Sequence, residues 1–322
     1  SIEPFREAYV SGLSTVYYRF ALVAGYGVIG ASLSCGRRPL WEIETEIRGL
    51  SDHMIEFGQE SLHLLLLPMW QTILNLMGRA AADDDDDPVV LTGEVMDYHN
   101  VLRRAQETNN KTAIHALELG QLRLACLFQD WDEATELVNR IEVRTKDQKA
   151  LRAHFSVVDQ YFFSALTSLV ECRKGRGRHE RLVLARRIMK KLKGWSSSSG
   201  GGGGGKVDCW PPLLFLRVEE LCRSRPDTVA DYRIKGGFNH VIEAAKQAGM
   251  IHLQAFANER AANWLEQRCG TTHRDITMHY LMEARRLYKK WGALSKVEQI
   301  DYHLSTTIIQ SSSDSNNNNN NN

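Results

Sequence analysis

The chain has 322 residues, 43% of them hydrophobic and 25% charged, the composition of an ordinary globular protein. Its formal net charge of +1 argues against a nucleic-acid partner held by electrostatics, which needs a strongly basic surface. Seven prolines and little period-two alternation leave helix as the dominant element. Six dispersed cysteines, with no C-x-x-C pair, read as reduced and mostly buried, as in a cytoplasmic protein. Eleven dispersed histidines show no metal-ligand spacing, so no metal is expected. The longest apolar run, 62–69, is too short to span a bilayer and holds His63 and Pro68, so no membrane association is expected.

From residue 1 to 47 the pattern predicts two helices broken at 35–39, where Gly36 closes the first and Pro39 opens the second. The first carries Gly12, Gly25, Gly27 and Gly30, the last three at Gly-x-Gly-x-x-Gly spacing. That spacing marks a dinucleotide site only between a strand and a helix, and no βαβ alternation surrounds it. Trp41, Ile43, Ile47, Leu50, Met54 and Phe57 mark the next helix, ended by Gly58. Residues 62–77 make another, kinked at Pro68. Its Trp70, Gln71 and Asn75 read as core packing in preference to a polar pocket. Five consecutive aspartates, 83–87, repel one another and form a loop insertion over 81–91. Helix is expected to restart at Thr92 or Gly93.

A helix-turn-helix joint follows at 126–134, where Trp131 and Ala134 at the start of the second helix pack on the first. Residues 157–169 give an apolar helix and 179–192 its basic partner; the basic run 173–193 reads as a solvated face. A Ser/Gly linker over 196–206 leads to a pair at 213–222 and 229–248. Residues 244–301 then hold three amphipathic segments, with Gly249, Gly270 and Gly292 as left-handed stops. Arg260, Glu266 and Gln267 fall mostly off the apolar face. In the last hairpin Tyr280, Ala284, Tyr288 and Trp291 make an apolar stripe, with the Trp291 indole expected near Trp264 or Leu265. An Asn-rich tail, 305–322, is expected to be disordered.

Three stretches together resemble the helical-repeat region of large multidomain signalling kinases. One holds Pro39, Leu40, Pro68, Trp70, Gln71 and Asn75; the second is the joint with Trp131 and Ala134. The third reads A-N-E-x-A, Y-L-x-E-A and Y-x-x-W-G-A-x-x-K-V. It comprises Asn258, Glu259 and Ala261; Tyr280, Glu283 and Ala284; and Tyr288, Trp291, Gly292 and Lys296. The joint's usual glycine is Gln129 here, and Asn263-Trp264 stands where the family has an aromatic-Tyr pair. In that family a protein-kinase-like domain and an NTPase module precede a tetratricopeptide-like region, and a GAF domain with a histidine kinase or cyclase follows.

The resemblance implies an all-α fold of antiparallel hairpins stacked as a tetratricopeptide-like right-handed solenoid. It also implies a fragment of a longer protein, since the chain lacks an initiator Met. One helical domain is expected over 1–304, in sub-blocks 1–80, 92–195 and 207–304. The expected role is a non-catalytic scaffold or signal relay of a kinase, contacting neighbouring domains or a partner helix. A free-standing adaptor, or the sensor arm of an ATPase-type transcription regulator, is the alternative. No catalytic, cofactor-binding or metal-ligating residue is expected within the chain, and no cofactor.

Overall fold

The computed structural model describes residues 2–14, 17–80, 87–147, 156–175, 177–197, 205–223, 228–269 and 273–319. These form fourteen α-helices: α1 (Glu3–Ser14), α2 (Tyr18–Cys35), α3 (Leu40–Glu56), α4 (Glu60–Leu76), α5 (Tyr98–Glu107), α6 (Lys111–Phe128) and α7 (Trp131–Asp147). The second half holds α8 (Val157–Lys174), α9 (Arg178–Ser197), α10 (Gly205–Leu221), α11 (Thr228–Gln247), α12 (Ile251–Cys269), α13 (Arg274–Trp291) and α14 (Leu294–Asn319). The only β feature among the described residues is an isolated bridge between Ala80 and Gly93. Among the described residues no helix is long and apolar enough to cross a membrane.

Consecutive helices pack as antiparallel hairpins, giving the all-α helical-repeat solenoid. The even-numbered helices α2 to α12 make one row in which each touches the next, and the odd-numbered helices touch their hairpin partners in a second row. One apolar core runs through the stack, from Leu22 and Tyr26 to Val297 and Ile300. Each unit is too thin to bury its own apolar face, so stacking supplies the core.

The first expected helix is two, α1 and α2, because its glycines remove the bulk that would hold them apart. A Cβ on Gly25 would lie 2.8 Å from Leu50 and 3.1 Å from the Tyr9 ring, and one on Gly27 3.0 Å from the Phe5 ring. The Gly-x-Gly-x-x-Gly spacing therefore lies inside α2 and marks a close helix crossing. Helix restarts at Tyr98, not at 92 or 93, because Asp97 is the cap that accepts from the Asn100 N–H. The described part of the preceding loop is structural: Val89 and Leu91 are buried, and the Asn75 side chain donates to the carbonyls of Pro88 and Val90. Residues 81–86, which include four of the aspartates, lie outside the described residues, as do 198–204 of the expected linker. The expected tail is assigned to α14 as far as Asn319, with side chains described only to Thr306.

Two burial expectations change. Trp41 is 58% exposed, while Leu40 beside it takes the core position. Arg260 is buried, because α12 is covered by α10, α11 and α13 and by the α6–α7 turn. Cys35, Cys126, Cys172, Cys209 and Cys222 are thiols outside any disulfide. The basic run is laced to its surroundings: Arg173 pairs with Glu219, Arg186 with Glu220 and Arg187 with Glu142.

The row does not end openly. The Ile251 N–H donates to the Gly36 carbonyl at 3.1 Å, and Arg37 Nε to the Ala248 carbonyl at 3.0 Å. Gly36 is left-handed (φ +57°), and a Cβ there would fall 1.7 Å from His252 Nδ1. Ser295, Lys296 and Gln299 of α14 donate to the carbonyls of Asn75, Leu127 and Phe128, at the ends of α4 and α6. The last carbonyls of a helix lack intrahelical partners and sit at its negative pole, so a lysine there completes the ladder and meets the dipole. The C-terminal helices thus close back on the N-terminal ones.

Candidate functional site

Two polar assemblies lie inside this closure. The first is built on the α6–α7 turn. Gln129, where the joint usually has glycine, adopts the left-handed conformation (φ +66°). Its side chain explains the exception. Gln129 Nε2 donates to Glu259 Oε1 at 2.8 Å, and its Oε1 accepts from Asn263 Nδ2 at 2.8 Å and Arg260 Nη1 at 3.2 Å. Glu259 also accepts from Lys296 Nζ at 2.7 Å and from the Tyr288 hydroxyl at 2.7 Å. Arg260 forks onto Glu219 at 2.8 and 3.1 Å and lies over the Trp131 ring, 5.1 Å from its centroid.

Glu219, Glu259, Arg260 and Lys296 are each no more than 4% exposed. Two carboxylates face two cations, so the buried charge balances. Burial works to raise the Glu219 carboxyl, but Arg260 and Arg173 outweigh it and hold its pKa below the ordinary carboxylate value. Burial lowers the Lys296 ammonium pKa against the opposing pull of Glu259. Burial first, then the neighbouring Glu259, hold the Tyr288 hydroxyl well above its usual range.

Most of the residues singled out by sequence fall into three places. Trp131, Glu259, Tyr288 and Lys296 converge on this joint, with Ala134, Ala261 and Ala284 buried nearby in the same helices. Pro68, Trp70, Gln71 and Asn75 form a second locus on α4. There Trp70 Nε1 approaches Glu44 at 3.4 Å, Gln71 Nε2 donates to Asn75, and Gln71 Oε1 accepts from the Val95 N–H. Pro39 and Leu40 sit at the closing seam, where Gly292 (φ +92°) ends α13 and a Cβ on it would lie 3.5 Å from the Leu40 nitrogen. Asn258 bonds its own helix at the Gln254 carbonyl, Tyr280 donates to Asn239, and Glu283 pairs with Arg286 at the surface. Glu219, Arg173 and the inward turn of Arg260 were not legible; Gln129 was signalled only as a departure from glycine.

The Trp291 indole lies against His252, ring centroids 5.4 Å apart, and not near Trp264 or Leu265. In an antiparallel hairpin the end of α13 meets the start of α12, which places residue 291 beside 252.

The second assembly joins α2, α6 and α8. Arg123 pairs with Asp159, which also accepts from the Ser34 hydroxyl at 2.5 Å. Both ionic side chains are nearly buried, 10% and 13% exposed. On one side lies a cavity of about 40 Å³ bordered by Tyr26, Leu65 and His115. On the other lies one of about 210 Å³ whose walls include Phe162, Leu253, His252 and Trp291. Burial, and then the charge of Arg123, push the His252 imidazole down to about 3. Among the described residues no group of three or more His, Cys, Asp or Glu is arranged to hold a metal ion.

Comparison with family models, curated proteins and solved structures finds no match.

Two expected results follow from these geometries. Gln129→Gly relieves about 1 kcal/mol of left-handed strain but removes hydrogen bonds to charged groups worth about 1.5–3 kcal/mol each. The variant is therefore less stable, by roughly 1–2 kcal/mol net of relaxation; urea denaturation showing a gain would mean that the side-chain bonds count for little. The second concerns pH. His252 in the folded state binds a proton only near pH 3, against an ordinary value of 6.5. As pH falls through that interval the unfolded chain protonates first, so stability falls with it, by up to ~1.4 kcal/mol per pH unit. His63 shifts in the same direction and His303 in the opposite one, so the measurement is a difference. His252→Phe should flatten the urea-derived stability profile between about pH 6 and 4. An unchanged slope would place the acid sensitivity elsewhere.

Proposed function

We propose that this chain is a non-catalytic helical-repeat scaffold or signal-relay segment of a multidomain, ATPase-containing Ser/Thr or histidine kinase in the cytoplasm. Its partners on this reading are proteins: neighbouring domains of a longer chain, or a partner helix. The observation that carries it is the use made of the polar residues in the resemblance. Glu259, Tyr288 and Lys296 bond one another and the α6–α7 turn. Trp70, Gln71 and Asn75 tie α4 to its neighbours. Groups that hold helices together at fixed angles suit a part that transmits position. The kinase assignment rests on the sequence resemblance alone.

The test joins two measurements on the purified chain. Titration calorimetry with magnesium-ATP is expected to give no binding heat, because Gly25 and Gly27 are enclosed in a helix crossing and Gly30 is buried within α2. Hydrogen exchange is then compared between the isolated chain and the longer protein, with its flanking sequence restored. The expected result is added protection on solvent-facing helix surfaces. Tight magnesium-dependent ATP binding, or exchange unaltered by the flanking sequence, would overturn the reading.

A further inference from the structure

We propose that the larger cavity beside the Arg123–Asp159 pair is a binding site for a small, uncharged, ring-containing molecule carrying a hydrogen-bond acceptor such as a carbonyl.

The size is sufficient. At about 210 Å³ it exceeds the roughly 150 Å³ at which an apolar cavity takes up benzene. Its walls are mainly apolar and aromatic, with Leu33, Phe162, Phe163 and Leu253 among them. Polar groups converge on it from five helices, α2, α6, α8, α12 and α13, the combination that characterises small-molecule sites.

The unsatisfied atoms give the ligand its chemistry. Trp291 is 1% exposed, and its indole Nε1 has no hydrogen-bond partner; neither has His252 Nδ1. Both residues line the cavity. Buried polar atoms without partners are rare in folded proteins, and an indole N–H can only donate, so an acceptor is what it lacks. Arg123 contributes further donor capacity, since one of its nitrogens serves Asp159.

The charge balance selects a neutral occupant. Arg123 and Asp159 cancel, and His252 is held neutral, so a carboxylate would enter as an unpaired buried charge. The walls also belong to both ends of the row: α1 and α2 from one, α12 and α13 from the other. An occupant touching both would favour the closed arrangement over any in which these ends part. This does not depend on the scaffold reading.

Benzamide is the probe, with toluene as its apolar control and benzoate as its anionic one. Saturation-transfer NMR on the whole chain should show saturable millimolar binding of benzamide, about ten-fold tighter than either control. A nuclear Overhauser contact to the Trp291 indole proton should accompany it. Trp291→Phe keeps the ring and removes the donor, so benzamide should fall to the affinity of toluene, which itself stays unchanged. Ala31→Phe, at the cavity wall, should abolish both with little change in melting temperature. Absence of saturable benzamide binding would overturn the proposal, as would equal affinity for toluene, which marks an apolar void only. Preference for benzoate, or an Overhauser contact elsewhere, would do the same. The wild-type contact decides the matter even if Ala31→Phe fails to fold.

Discussion

Lys296→Met is expected to lower the unfolding free energy by about 3–5 kcal/mol, the cost of removing one partner from a buried ion pair. Lys296 is fully buried, and its ammonium donates to the Leu127 carbonyl, to Glu259 and to Gln299. Methionine fills much of the volume but donates nothing, so Glu259 keeps only the Gln129 amide and the Tyr288 hydroxyl. Its charge then stands without its bonded cation. Glu259→Gln in the Lys296→Met background removes the stranded charge and should recover a large part of the loss. Urea denaturation of the four proteins in a double-mutant cycle gives the coupling. A single-variant cost below about 1 kcal/mol would mean that this pair is solvated.

Trp291→Ala is the second large effect, expected at about 3–5 kcal/mol for truncation of a buried large aromatic. Its distribution is as informative as its size. In an open stack each unit answers only to its neighbours, and damage would stay in α12 to α14. Here the indole lies against His252, whose Nδ1 sits over Gly36, and Gly292 backs onto Leu40. Hydrogen exchange should therefore show protection lost at the C-terminal helices and also around the α2–α3 turn, while α8 and α9 keep theirs. Loss confined to α12–α14 would show that the closure contributes little.

Much of the helical order was legible because turns announce themselves locally. Gly36, Gly249 and Gly292 are all left-handed stops, and the α6–α7 joint falls where its aromatic and alanine put it. The separation of α1 from α2 was not, because Gly25 and Gly27 carry meaning only through Tyr9, Phe5 and Leu50, which pack against them. Arg260 reads as a surface residue by periodicity, and it is buried by a turn 131 positions away. Trp41 reads as core from its type, and Leu40 takes that place instead. Periodicity reports which face of a helix meets its hairpin partner; what covers the other face is decided by the closure. The same holds for the cavity, whose walls come from α1, α2, α6, α8, α10, α12 and α13, or their flanking turns.

The bonds from α14 to the ends of α4 and α6 bear on how the chain is made. Ser295 reaches a carbonyl 220 positions earlier in the sequence, and Lys296 one 169 positions earlier. A ribosome adding about 5–20 residues per second delivers those donors on the order of ten to forty seconds after their acceptors. Through that interval the finished ends of α4 and α6 have water in place of side chains, and Glu259, 37 positions before Lys296, waits about 2–7 seconds for its cation. Nascent chains should accordingly remain protease-sensitive until α14 emerges, then gain resistance in one step, because α14 is the element that completes the ends of α4 and α6.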